Sequence, residues 1–77
     1  MANKNNLPLW WLCFLDRVKQ LRKQCHREDI RAFYLSLTGY ISGLSCAGVI
    51  NDNQHQLLDS VAENAMEWAL KDAGKEA

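Results

Sequence analysis

The sequence predicts a small all-α domain of three helices. Apolar residues recur at i, i+3, i+4 and i+7 in three successive stretches, the signature of amphipathic helices. No run of four or more residues alternates cleanly at period two, so strands have little support. The single proline, Pro8, stands where the first stretch opens, and Gly48 and Gly74 stand where the second and third close. A chain of 77 residues is one domain, spanning 1–77, with residues 1–6 and 75–77 expected to be flexible ends.

The first helix is expected to start at Pro8, whose missing N–H is not needed in a first turn, with Asn6 as its cap. Trp11, Phe14, Leu15, Val18, Leu21 and Cys25 form one stripe about 120° wide that faces the core, while Lys19, Arg22, Lys23 and Arg27 lie on the other side. Leu9, Leu12 and Cys13 fall opposite the stripe and Trp10 at its margin. The first two turns are therefore apolar all round, more than a lone three-helix domain covers, and this points to a second interface.

The second helix is expected from Glu28 or Asp29 to Leu44 or slightly beyond. Ile30, Phe33, Tyr34, Leu37, Tyr40, Ile41 and Leu44 make its core stripe. Its opposite face carries Ala32, Ser36, Gly39 and Gly43. Glycine inside a helix costs about 1 kcal/mol against alanine, and two readings of this face are open. Either another helix approaches closely over the small residues, or Gly39 is tolerated and Gly43 begins the exit.

Asn51 with Gln54 three residues later reads as a capping box opening the third helix. Leu57, Leu58, Val61, Ala62, Ala65, Trp68 and Ala69 form its apolar face, and Asp59, Glu63 and Glu67 an acidic ladder on the other. Lys71 suits the negative end of the helix dipole, and Gly74 the position just past the helix end.

A domain of this size buries only about 60–65% of the surface its unfolded chain exposes. Small chains compensate with disulfides, a metal or self-association. Three cysteines, Cys13, Cys25 and Cys46, make an odd number, and no signal-peptide pattern opens the sequence, so a reduced, cytoplasmic protein is expected. With His26 and His55 these cysteines show neither C-x₂₋₄-C nor H-x₃₋₅-H spacing, so no metal is expected. Self-association remains, most simply as a homodimer.

No nucleophile elbow, glycine-rich phosphate loop or metal motif occurs, so the sequence predicts no enzyme, no catalytic residues and no cofactor. The apolar run Leu7 to Leu15 is too short to span a bilayer. Its Trp pair followed by basic residues has the look of an interfacial anchor, yet the apolar stripe continues to Cys25 as a folded helix requires, which argues against a membrane role. Net charge is zero, but residues 1–32 carry +4 (seven Lys/Arg, three acids) and residues 33–77 carry −4 (two Lys, six acids). The basic side of the first helix, Lys19, Arg22, Lys23 and Arg27, is the candidate nucleic-acid face of an alternative reading. The acidic third helix and zero net charge weigh against it. A further possibility is that the basic and acidic sides answer each other within an assembly.

The leading expectation is a protein–protein interaction module with Leu9, Trp10, Trp11, Leu12, Phe14, Gly39 and Gly43 at its oligomer or partner interface. The short polar start, the stretch Cys13-Phe14-Leu15-Asp16-Arg17-Val18-Lys19 and the segment Gly48-Val49-Ile50-Asn51-Asp52 resemble, in style, small accessory proteins of temperate phages and prophages of enteric bacteria, including those of lambdoid early regions. That resemblance implies a small modulator of a host protein, in replication, cell cycle, transcription or defence.

Overall fold

A computed structural model describes residues 7–76, with side chains through Gly74. The fold is three helices, α1 (Leu9–Arg22), α2 (Arg27–Cys46) and α3 (Asp52–Glu76), each packed against both others. Short connections make α1 and α2, and α2 and α3, antiparallel neighbours. An ion pair between Arg22 and Asp72 joins the C-terminal parts of α1 and α3, which therefore run parallel. The proposed flexible segment 1–6 and the Asn6 cap lie outside the described residues, as does Ala77.

Pro8 caps α1 rather than opening it: its backbone is extended (φ −62°, ψ 150°), and its carbonyl accepts from the N–H groups of Trp11 and Leu12. The helix ends at Arg22, so Cys25 lies in the connection, exposed, and drops out of the predicted core stripe. Helix α2 starts slightly earlier than expected and continues to Cys46. There Gly48 takes a left-handed φ of 75°, the Val49 N–H bonds to the Leu44 carbonyl at 2.9 Å, and the Gly48 N–H bonds to the Ser45 carbonyl at 3.1 Å. This pair of bonds is a Schellman ending, which needs a residue free of a Cβ at the left-handed position.

The capping box of α3 forms in both directions. The Gln54 N–H donates to Asn51 Oδ1 at 2.8 Å, and the Asn51 N–H donates to Gln54 Oε1 at 2.9 Å. Gly74 does not end α3, which continues to Glu76. A glycine in an exposed last turn costs about 1 kcal/mol at most against alanine, too little to stop a helix of this length.

The core consists of Phe14 and Leu21 from α1, Ile30, Leu37 and Ile41 from α2, Leu58, Ala62, Ala65 and Ala69 from α3, and Ile50 from the α2–α3 connection. Ile50 belongs to no helical stripe, and only the chain reversal at Gly48 turns it inward. The buried face of α3 is rotated from the predicted one. Met66, Leu70 and Ala73 pack against the core, whereas Leu57 and Trp68 are 59% and 51% exposed. Leu15 and Phe33 are likewise more than a third exposed, at the edges of their stripes. Because α3 meets two helices, its contact arc is placed by both, and mostly small side chains line it.

Candidate interaction surface

The seams between the helices hold both tyrosines, the Arg22–Asp72 ion pair and the two cation–π contacts. Along the α1–α2 seam, Tyr40 donates its phenolic O–H to the Trp10 carbonyl at 2.9 Å, and the Arg17 guanidinium lies over the Tyr40 ring, 4.7 Å from its centroid. Burial, and next the adjacent Cys13 thiol, push the Tyr40 phenol above its ordinary pKa, with Arg17 pulling the other way. Outside this contact a groove of about 510 Å³ opens between Leu12, Cys13, Asp16, Arg17 and Gln20 of α1 and Phe33, Ser36 and Leu37 of α2.

The α2–α3 seam holds Tyr34, Leu35 and Arg31 against Met66 and Leu70. Burial raises the Tyr34 pKa, and the Glu63 and Asp59 carboxylates raise it further. Two rungs of the acidic ladder thus look toward α2. The His55 Nε2 lies 3.3 Å from Asp59 one turn away.

On the α1–α3 seam, Arg22 and Asp72 meet at 3.3 Å. Leu57, Val61, Trp68 and Asp72 are spaced so as to share that side of α3, as Leu15 and Arg22 share the facing side of α1. The Lys71 ammonium lies over the Trp68 ring, 4.9 Å from its centroid.

The predicted interface residues separate into two groups. Leu9 and Leu12 are 76% and 44% exposed, and Gly39 and Gly43 lie open on the outside of α2. Phe14 is fully buried and offers no atom to a partner, which corrects its assignment as an interface anchor. Trp10 and Trp11 are half-buried against the core, where Trp11 stacks on Phe14 at 5.6 Å and meets Trp10 edge-on at 5.9 Å. Aromatic side chains this large are drawn inward because α1, the shortest helix, has few other residues with which to cover the core end.

Among the described residues, nothing comes close to the two glycines on the small-residue face of α2. A Cβ built at Gly39 or Gly43 meets no atom within 4 Å, so the close helix contact considered for this face does not occur within one copy. Nor do the basic side of α1 and the acidic ladder of α3 meet within one copy. Among the described residues, Arg22 is the one member of Lys19, Arg22, Lys23 and Arg27 with a carboxylate partner, and that partner, Asp72, is not part of the ladder.

Sequence reasoning missed Leu35, 68% exposed at the rim of the α2–α3 seam, and the exposure of Trp68 and Leu57. A signal was present in the charge pattern: from Ala32 to Asn51 no Asp, Glu, Lys or Arg occurs. All three cysteines are free and exposed, and no three His, Cys, Asp or Glu side chains converge among the described residues. No described helix is long and apolar enough to cross a membrane. No protein-family model matches the chain, and neither a curated protein nor a solved structure does.

Proposed function

We propose that the protein is a small non-enzymatic interaction module that works as a homo-oligomer in the cytoplasm and acts on a protein target. One observation carries this reading. Leu9, Leu12, Leu35, Leu57 and Trp68 stand at the surface, while the inner face of α3 is mostly alanine. A 77-residue monomer gains most by turning its largest apolar side chains inward, since each contributes about 1.5–3 kcal/mol when removed from water. Large side chains outside and small ones inside are the pattern of a chain whose burial is completed by association. The resemblance to phage accessory proteins makes a host protein the natural target. Sedimentation equilibrium at micromolar concentration tests the self-associating part: a mass of at least two chains is expected, and a cooperatively folded monomer overturns it. Capture of one defined host protein by the purified oligomer, retained after high-salt washing, tests the second part.

An alternative reading is nucleic-acid binding through Lys19, Lys23 and Arg27, which are exposed and have no carboxylate partner among the described residues. A mobility shift at low salt that disappears at moderate salt, and that Lys19→Glu with Lys23→Glu abolishes, would favour it.

A further inference from the structure

The structure brings together, on one face, two features that lie far apart in the chain. Tyr40 bonds to Trp10, so the C-terminal half of α2 runs beside the first turns of α1. Leu9 and Leu12 stand out from α1 at helical spacing, and Leu12 lines the α1–α2 groove together with Ser36. Ser36 and Gly43 are seven residues apart and share a side of α2, with Gly39 next to them. The outer α1–α2 face therefore has an apolar ridge, Leu9 and Leu12, beside a shallow trough over Ser36, Gly39 and Gly43.

Resting on the reading that the protein self-associates, we infer that this face binds a second copy of the chain across a two-fold axis. The ridge of each copy fills the trough of the other. A face that carries both a ridge and the trough it fits is self-complementary, as an isologous interface requires.

Charge supports the same occupant. The α2 part of the face is uncharged throughout, and α1 contributes Asp16 and Arg17 to the groove, one of each sign, with Arg17 already held over Tyr40. An acidic or basic partner would find nothing there to oppose it, whereas a second copy meets a neutral face with a neutral face. The other two seams carry more charge. The α1–α3 side holds Arg22, Lys71 and Asp72, and the α2–α3 side holds Arg31 with Asp59 and Glu63 near Tyr34, so burying either desolvates more charged groups than burying the α1–α2 face.

The area suffices for a dimer. At 1.5 Å per residue α1 and α2 are about 21 and 30 Å long, and packed helices lie roughly 10 Å apart. The shared face then offers on the order of 500 Å² per copy, or about 1,000 Å² for the pair, where specific interfaces begin.

The test uses the full chain in three forms, compared by sedimentation equilibrium with circular dichroism as the measure of folding. Gly39→Leu with Gly43→Leu fills the trough; no described atom lies within 4 Å of a Cβ at either position, and circular dichroism checks that the variant folds. Its dimer is expected to weaken by roughly two orders of magnitude. Leu9→Glu with Leu12→Glu removes the ridge and should give the same loss with helicity kept. Trp68→Glu on the α1–α3 side should leave the dimer intact. If the wild-type chain dimerises but survives the glycine substitutions as a dimer, or dissociates on Trp68→Glu, the face is wrong although self-association stands. A wild-type chain that sediments as a monomer removes both.

Discussion

Tyr40 of α2 donates a 2.9 Å hydrogen bond to the carbonyl of Trp10 in the first turn of α1, a polar contact that ties the two helices together. The carbonyl is part-buried, and the tyrosine ring is covered by the Arg17 guanidinium. Tyr40→Phe keeps the ring and removes the bond, so it should destabilise the fold by about 0.5–1.5 kcal/mol. Urea denaturation at fixed protein concentration checks this. An unchanged midpoint would mean that water replaces the phenol without cost.

Glycines in this chain predict opposite signs. Gly48 sits at φ 75°, where a Cβ is strained, so Gly48→Ala should lower the thermal midpoint, by roughly 1 kcal/mol in stability. Gly39 is helical with open space beyond its Cα, so Gly39→Ala should raise the stability of one copy by up to about 1 kcal/mol. Calorimetry of the two variants at dilution should show shifts in opposite directions.

Phe14 distinguishes core from interface. It is fully buried and stacked on Trp11, so Phe14→Ala should cost about 3–5 kcal/mol and unfold much of the population. Loss of helical signal in circular dichroism is the expected readout. A folded, merely dissociated variant would return Phe14 to the partner surface.

The Arg22–Asp72 pair is about half exposed on both sides, and such pairs contribute about 0.2–1 kcal/mol, screened by salt. A double-mutant cycle with Arg22→Gln and Asp72→Asn should give a coupling in that range at low salt and close to zero at high salt. A larger, salt-independent coupling would show that the α1–α3 seam is shielded from solvent, for example by an oligomer.

Both tyrosines on the seams have folded pKa values raised above 10.0, Tyr34 mainly by burial and then by Glu63 and Asp59, Tyr40 by burial and then by Cys13. A phenol held neutral by the fold contributes stability that is fully present below the unfolded pKa and is lost as pH rises through the folded one. Stability should therefore fall above pH 10, together with the phenolate absorbance. Tyr34→Phe should reduce that fall. Phenolate appearing at the ordinary pH before any unfolding would contradict the raised pKa of both partly buried phenols.

Much of this protein was legible in its sequence. Three helices followed from the 3.6-residue recurrence of Phe14, Leu21, Ile30, Leu37, Ile41, Leu58 and Ala65, all of which are buried. The Asn51–Gln54 capping box and the stop at Gly48 were also readable, because caps and turns depend on residues adjacent in the chain. Periodicity assigns a stripe to each helix but leaves its edges undecided. Whether Leu15, Leu57 or Trp68 lies inside depends on where two other helices touch, and the structure leaves all three at the rim. Ile50 became core only because the chain reverses at Gly48. The partner of Arg22, fifty residues away at Asp72, had no local signature. The meeting of Leu12 with Ser36 across the α1–α2 groove was likewise decided by tertiary packing. Helical pattern is a property of near neighbours along the chain, whereas a shared face between two helices exists only once their relative rotation is set by the core.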